Sequence, residues 1–121
     1  MVEAIESTTL SERVVLLGVT ELTERGQTPI HSSSVKRACV DRLGEVDGDV
    51  VGSLSESDVV RALNRLEGEG LIARVTVEDP SPVGKGRPTY ELSADPDRVL
   101  ETLAEDGRVA RLVEGVRDGG A

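Results

Sequence analysis

Apolar residues recur with a helical period from the tenth residue onward. Val15, Val19 and Leu22 stand at i, i+4 and i+7, and Val14, Leu16 and Leu17 widen the stripe. Thr9 and Glu12 have the spacing of a capping box, Leu10 can staple the start, and Gly26 is a stop signal. Together they predict a helix over 10–25, with Glu21, Glu24 and Arg25 as its polar positions. Residues 1–9 read as a loose acidic leader.

Pro29 drives its predecessor out of the helical region, so Thr28-Pro29-Ile30 reads as one brief edge strand. Ser32-Ser33-Ser34 then opens a second helix, each of the three being able to cap it. Its apolar face is Val35, Ala38, Cys39, Leu43 and Val46, with the aliphatic stem of Arg42. Residues 47–52 (DGDVVG) break the period and read as a loop. A third helix starts near Ser53 or Ser55, since Ser53 with Glu56 and Ser55 with Asp58 both have capping-box spacing. Val59, Leu63 and Leu66 form its buried stripe, with Val60 and Ala62 in support. Ser57, Arg61, Asn64, Arg65 and Gly68 take the opposite face, and Gly68 and Gly70 end it.

Leu71 to Val77 changes to β character. The run 79–88, rich in Gly and Pro, is incompatible with helix, and Thr89 to Leu92 alternates as a return strand. The two strands frame a long hairpin loop. Ser93 to Asp118 is a helical tail with Val99, Leu103, Val109, Leu112, Val113 and Val116 as its apolar positions; Gly107 kinks or divides it, and the last residues fray. The expected architecture is mainly α with a small β-hairpin, an α+β winged helix-turn-helix with an additional C-terminal helix. Residues 10–93 form the domain, and the tail 94–121 belongs to it.

The 121 residues suit a single core. With one Tyr and neither Phe nor Trp, that core must be built from Val, Leu, Ile and Ala. The net charge is −9, and twelve of the fourteen bases are Arg, only Lys36 and Lys85 being Lys. This balance reads as halophilic: an acidic surface holds hydration and ions in concentrated salt, where self-repulsion is screened within about 3 Å at 1 M. No apolar run approaches the roughly 20 residues of a membrane span, and the N-terminus has neither the basic flank nor the apolar centre of a secretory signal. A cytoplasmic location is expected.

Little in the chain suggests catalysis. Cys39 has no partner for an internal disulfide and sits on an apolar face, which reads as core packing. With His31 it falls short of a zinc cage. No acid–base pair or activated nucleophile is legible. The Gly84-Lys85-Gly86 stretch is no phosphate-binding P-loop, because the spacing and the following helix are both lacking. Neither an enzyme nor a nucleotide, metal or other cofactor is expected.

The pattern points instead to duplex DNA. In a helix-turn-helix the second helix of the pair enters the major groove, here residues 55–68. Its outer face carries Ser57, Arg61, Asn64 and Arg65; Arg suits guanine, Asn suits adenine, and Ser suits a phosphate or base. The same face also reads as plain solvated surface with i, i+4 pairs such as Arg65 with Glu69. The loop 79–88 forms the wing, with Lys85 and Arg87 placed for the backbone or minor groove. Ser32, Ser34, Lys36 and Arg37 at the start of the second helix add phosphate contacts, since helix N-termini favour anions. His31 reads as a capping or surface residue. The basic footprint is modest, and in concentrated salt counterion release contributes little, so direct contacts must carry more of the binding.

The run from Leu10 to Leu17 (LSERVVLL), then Thr28-Pro29-Ile30, then Leu54 to Ile72, resembles the C-terminal winged-helix domain of the archaeal origin-recognition initiators, the cell-division-control type replication ATPases. Shared features are the Leu-Ser-Glu opening, a Thr-Pro ahead of the second helix, and the ending Leu66-Glu67-x-x-Gly70-Leu71-Ile72; the similarity runs over about residues 10–104. The resemblance implies that the 55–68 helix and the wing touch DNA. The ending from Leu63 to Ile72 is equally a feature of winged-helix transcription regulators, and the 121 residues hold no nucleotide-binding motif. The expected function is sequence-specific binding of double-stranded DNA in transcription regulation. The alternatives are a stand-alone origin-recognition-like replication factor and a winged-helix protein-interaction module without DNA. Apolar positions in the tail suggest a homodimer through the C-terminal helix.

Overall fold

A computed structural model describes residues 2–27, 30–44, 55–75 and 89–119. Helix α1 (Val2–Glu6) is followed by α2 (Leu10–Glu24), strand β1 (Ile30–His31), α3 (Ser32–Gly44), α4 (Glu56–Gly68), strands β2 (Ile72–Val75) and β3 (Thr89–Leu92), then α5 (Pro96–Ala104) and α6 (Ala110–Gly119). The result is a mainly helical α+β fold with a small antiparallel sheet in the order β1-β3-β2. The expected loop at 47–52 and the wing at 79–88, with Lys85 and Arg87, lie outside the described residues. So do Ser53, Thr28 and Pro29.

Helix α2 is the spine. Thr9 accepts from the Glu12 backbone N–H while the Glu12 carboxylate accepts from that of Thr9, the expected capping box. At the far end Gly26 adopts φ 71°, and Gly26 and Gln27 donate back to the Thr23 and Leu22 carbonyls. Between these ends, all nine residues from Val14 to Leu22 are buried, because α3, α4, α5, α6 and the sheet surround the helix. The sequence suggests an amphipathic helix, and Glu21 is the exception that burial creates. It is 3% exposed and is neutralised by Arg25 one turn later, at 2.9 Å. Thr20 hides its hydroxyl by donating to the Leu16 carbonyl.

Helix α3 follows β1 directly, so the three serines fill its first turn rather than precede it. Val35, Ala38 and Cys39 face the core as expected. Helix α4 is capped by Ser55 with Asp58, the second of the two candidate boxes. It ends in a left-handed turn at Gly70 (φ 78°), where Gly70 and Leu71 donate to the carbonyls of Glu67 and Leu66. Leu66 and Leu71 are both buried, the apolar contact that accompanies this turn.

Two expectations are corrected. The segment 1–9 is not a loose leader: it contains α1, packed on α5, with Ile5 only 2% exposed. Arg13 fastens it, donating to the Glu6 carbonyl (3.0 Å), the Thr8 hydroxyl (3.2 Å) and Asp106 (2.6 Å). The tail does divide near Gly107, where Asp106 caps the turn between α5 and α6 by accepting from the Arg108 backbone and guanidinium. Its apolar positions are not left over for a second copy, however. Val99, Leu103, Val109, Leu112, Val113 and Val116 are all buried in the chain's own core, which removes the basis for a homodimer through this helix.

Candidate nucleic-acid interface

The outer surface of α4 follows from its inner one. Val59, Ala62, Leu63 and Leu66 are fixed against α2 and α3, the burial of Val59 and of each leucine being worth about 1.5–3 kcal/mol. The 3.6-residue period then sets Ser57, Arg61, Asn64 and Arg65 outward, and all four are exposed. Ser57, Arg61 and Asn64 line one shallow groove together with Glu56 and Val60. Arg61 enters no ion pair among the described residues. It faces Asp58 one turn earlier, whose carboxyl is held below the usual carboxylate range chiefly by the Ser55 backbone and side chain, with the Arg61 charge adding to this.

Arg65 differs. Its guanidinium lies 3.4 Å from the Glu69 carboxylate, the i, i+4 pair of the solvated-face reading. The pair is half exposed and weak, in the range of about 0–1 kcal/mol, so Arg65 is available to a stronger anion.

The residues expected at the start of α3 separate from this groove. Ser34 and Arg37, with Ser33, line a cleft against the end of α2, where Leu22, Arg25 and Gln27 form the other wall and Asp41 closes it. Arg37 is exposed and Lys36 half-buried. Ser32 is corrected as a phosphate contact: only 9% of it is exposed, because it starts α3 directly behind β1. Lys85 and Arg87 belong to the segment that joins β2 to β3.

Arg74 on β2 was not singled out by sequence reasoning, yet it reaches the same face. It stands directly opposite Tyr90 of the central strand, with its guanidinium carbon 5.9 Å from the ring centroid. From there its Nη2 donates to the Asn64 Oδ1 at 3.3 Å, and its Nε lies 3.5 Å from Glu67. The one available signal was parity. Arg74 shares a strand face with buried Ile72, so a basic side chain at that position has to run along the end of the neighbouring helix.

The cysteine is inert in this frame. Burial, and then the charge of Glu21, push the Cys39 thiol up to about 12. Among the described residues no cluster of three His, Cys, Asp or Glu side chains is placed to hold a metal ion, and no helix is long and apolar enough to cross a membrane.

The chain is similar in structure to the ORC1 protein of Aeropyrum pernix solved in complex with DNA. The TM-score is 0.74 at 24% sequence identity, covering 92% of this chain and 28% of that one. The likeness shows a winged-helix-like fold, and the chain spans little more than a quarter of its neighbour's length. No protein-family model matches the chain, and no curated protein does.

Proposed function

We propose that the protein binds double-stranded DNA through the outer face of α4. The reading rests on one observation: Ser57, Arg61 and Asn64 are exposed side by side on the second helix of the pair, the element that winged-helix proteins lay in the major groove. Arg61, unpaired among the described residues, is the base-reading cation, and Arg65 joins it by exchanging Glu69 for DNA. Lys36 and Arg37, with Lys85 and Arg87 of the wing, supply phosphate contacts that position the duplex. The acidic remainder of the surface suits concentrated salt, where direct contacts replace counterion release.

Transcription regulation is a role that fits a winged-helix-like fold presenting Ser57, Arg61 and Asn64 on the outer face of α4. A role at replication origins is the second reading. The observation in its favour is that the structural neighbour is an ORC1 protein in complex with DNA.

Selection of bound fragments from random duplexes in molar KCl, followed by anisotropy on the best site, tests the proposal. Arg61→Ala should weaken that site by about 1–3 kcal/mol and relax one base position. Lys85→Ala should weaken all sequences alike. Enrichment of no duplex while another protein co-purifies with the chain would overturn DNA binding in favour of a protein-interaction module. Genomic sites at promoters would support the regulatory reading, and sites at origins the other.

A further inference from the structure

The contact between Arg74 and Asn64 carries a consequence for which base is read. Arginine has only donors, so the carboxamide atom facing it is the carbonyl oxygen. The Asn64 Oδ1 is therefore engaged by Arg74 Nη2 at 3.3 Å, with a positive charge beside it, and the Nδ2 group is the end left to the groove. Arg74 is held in turn by Glu67 on one side and the Tyr90 ring on another, so it is placed before any ligand arrives.

An asparagine reads adenine by using both ends of its amide: Oδ1 accepts from N6 while Nδ2 donates to N7. Here one of the two lone pairs of the accepting end is engaged and the oxygen lies against a cation, which disfavours a second donor such as N6. Nδ2 remains as donor, beside Arg61, which also only donates. Two donor groups on one face match guanine, whose major-groove edge offers the N7 and O6 acceptors and no donor.

We propose that Arg74 is a positioning residue for specificity: by holding the Asn64 oxygen it turns the Asn64 Nδ2 donor to the groove and disfavours acceptance from a base, selecting guanine over adenine at the base that Asn64 faces. The inference rests on the DNA-binding reading above, and the experiment separates the two. Sites are selected from random duplexes with the wild type, Asn64→Ala, Arg74→Met and Arg74→Lys. The position that Asn64→Ala relaxes is the one Asn64 reads. The wild type should favour guanine over adenine there by about tenfold. Arg74→Met, which keeps an apolar cover on Tyr90 without a donor, should raise adenine to parity or above at that position and leave the others unchanged. Arg74→Lys, which keeps a charged donor, should retain guanine.

A wild-type preference for adenine at that position overturns the inference and leaves DNA binding standing. So does Arg74→Met weakening all sites with no change in base preference, or Asn64→Ala relaxing no position. Should Arg74→Met fail to fold by thermal melting, the wild-type preference decides alone. If the wild type enriches no duplex, both readings fall.

Discussion

The Sγ of Cys39 on α3 lies where a side chain on residue 18 of α2 would have to begin: a Cβ at Gly18 would stand 2.8 Å from it, with the Val35 carbonyl at 3.5 Å. The two helices approach this closely because one contributes no side chain. Gly18→Ala should therefore destabilise the fold by about 1–3 kcal/mol through overpacking, despite alanine's better helix propensity. In the Cys39→Ala background the same change should cost much less. Chemical denaturation of the four proteins in a double-mutant cycle checks this; equal costs in both backgrounds would refute the contact.

Ile5→Ala should destabilise the protein by about 2–5 kcal/mol, because Ile5 is buried where α1 meets α5. A disordered leader would give no change. Urea unfolding followed by circular dichroism distinguishes the outcomes.

Asp106 should confer a pH-dependent stability. Hydrogen bonds from Arg108 above all, and also from Arg13, hold its carboxyl far below the ordinary value of 3.8. A depressed carboxyl stabilises the folded state above the unfolded-state value, and the contribution is lost as pH falls below that value towards the folded one. Asp106→Asn should be less stable than wild type by about 1–3 kcal/mol near neutral pH, and the difference should shrink as the pH drops below about 3.8. Melts from pH 7 to pH 2 in constant salt measure it; a constant difference across that range would contradict the assignment.

The Cys39 thiol, pushed up to about 12 and buried, should resist thiol reagents at pH 8 in the native protein and react rapidly in denaturant. Because the folded state keeps its proton longer than the unfolded chain, stability should fall as the pH rises above about 9. Fast native labelling would place the thiol at the surface.

Glu69→Gln should leave stability almost unchanged, since the pair with Arg65 is half exposed. It should tighten DNA binding several-fold by freeing Arg65, and Arg65→Ala should weaken it. Affinity unaffected by either change would leave Arg65 as solvated surface only.

Much of the fold was legible because its signals are local. The capping pairs Thr9 with Glu12 and Ser55 with Asp58, and the glycines at 26 and 70, each act within a few residues, so sequence and structure agree on them. What was not legible depends on partners far along the chain. Five residues are too few to show a helical period, so α1 does not announce itself; Ile5 is buried through α5, more than ninety positions later. Likewise, Glu21 looks polar until six other elements close around α2. The tail's valines and leucines seemed spare for the same reason. The outward set on α4 followed directly from helical period, whereas Arg74 enters only through the strand register that puts it opposite Tyr90.

Tyr90 is the chain's single aromatic side chain, and it sits in the central strand between Ile30 and Arg74. All ultraviolet emission from the protein therefore originates at one ring, next to the guanidinium that grips the proposed reading helix. The molecule thus carries a native optical reporter at the junction of sheet and α4, with no second fluorophore to obscure it and no label required.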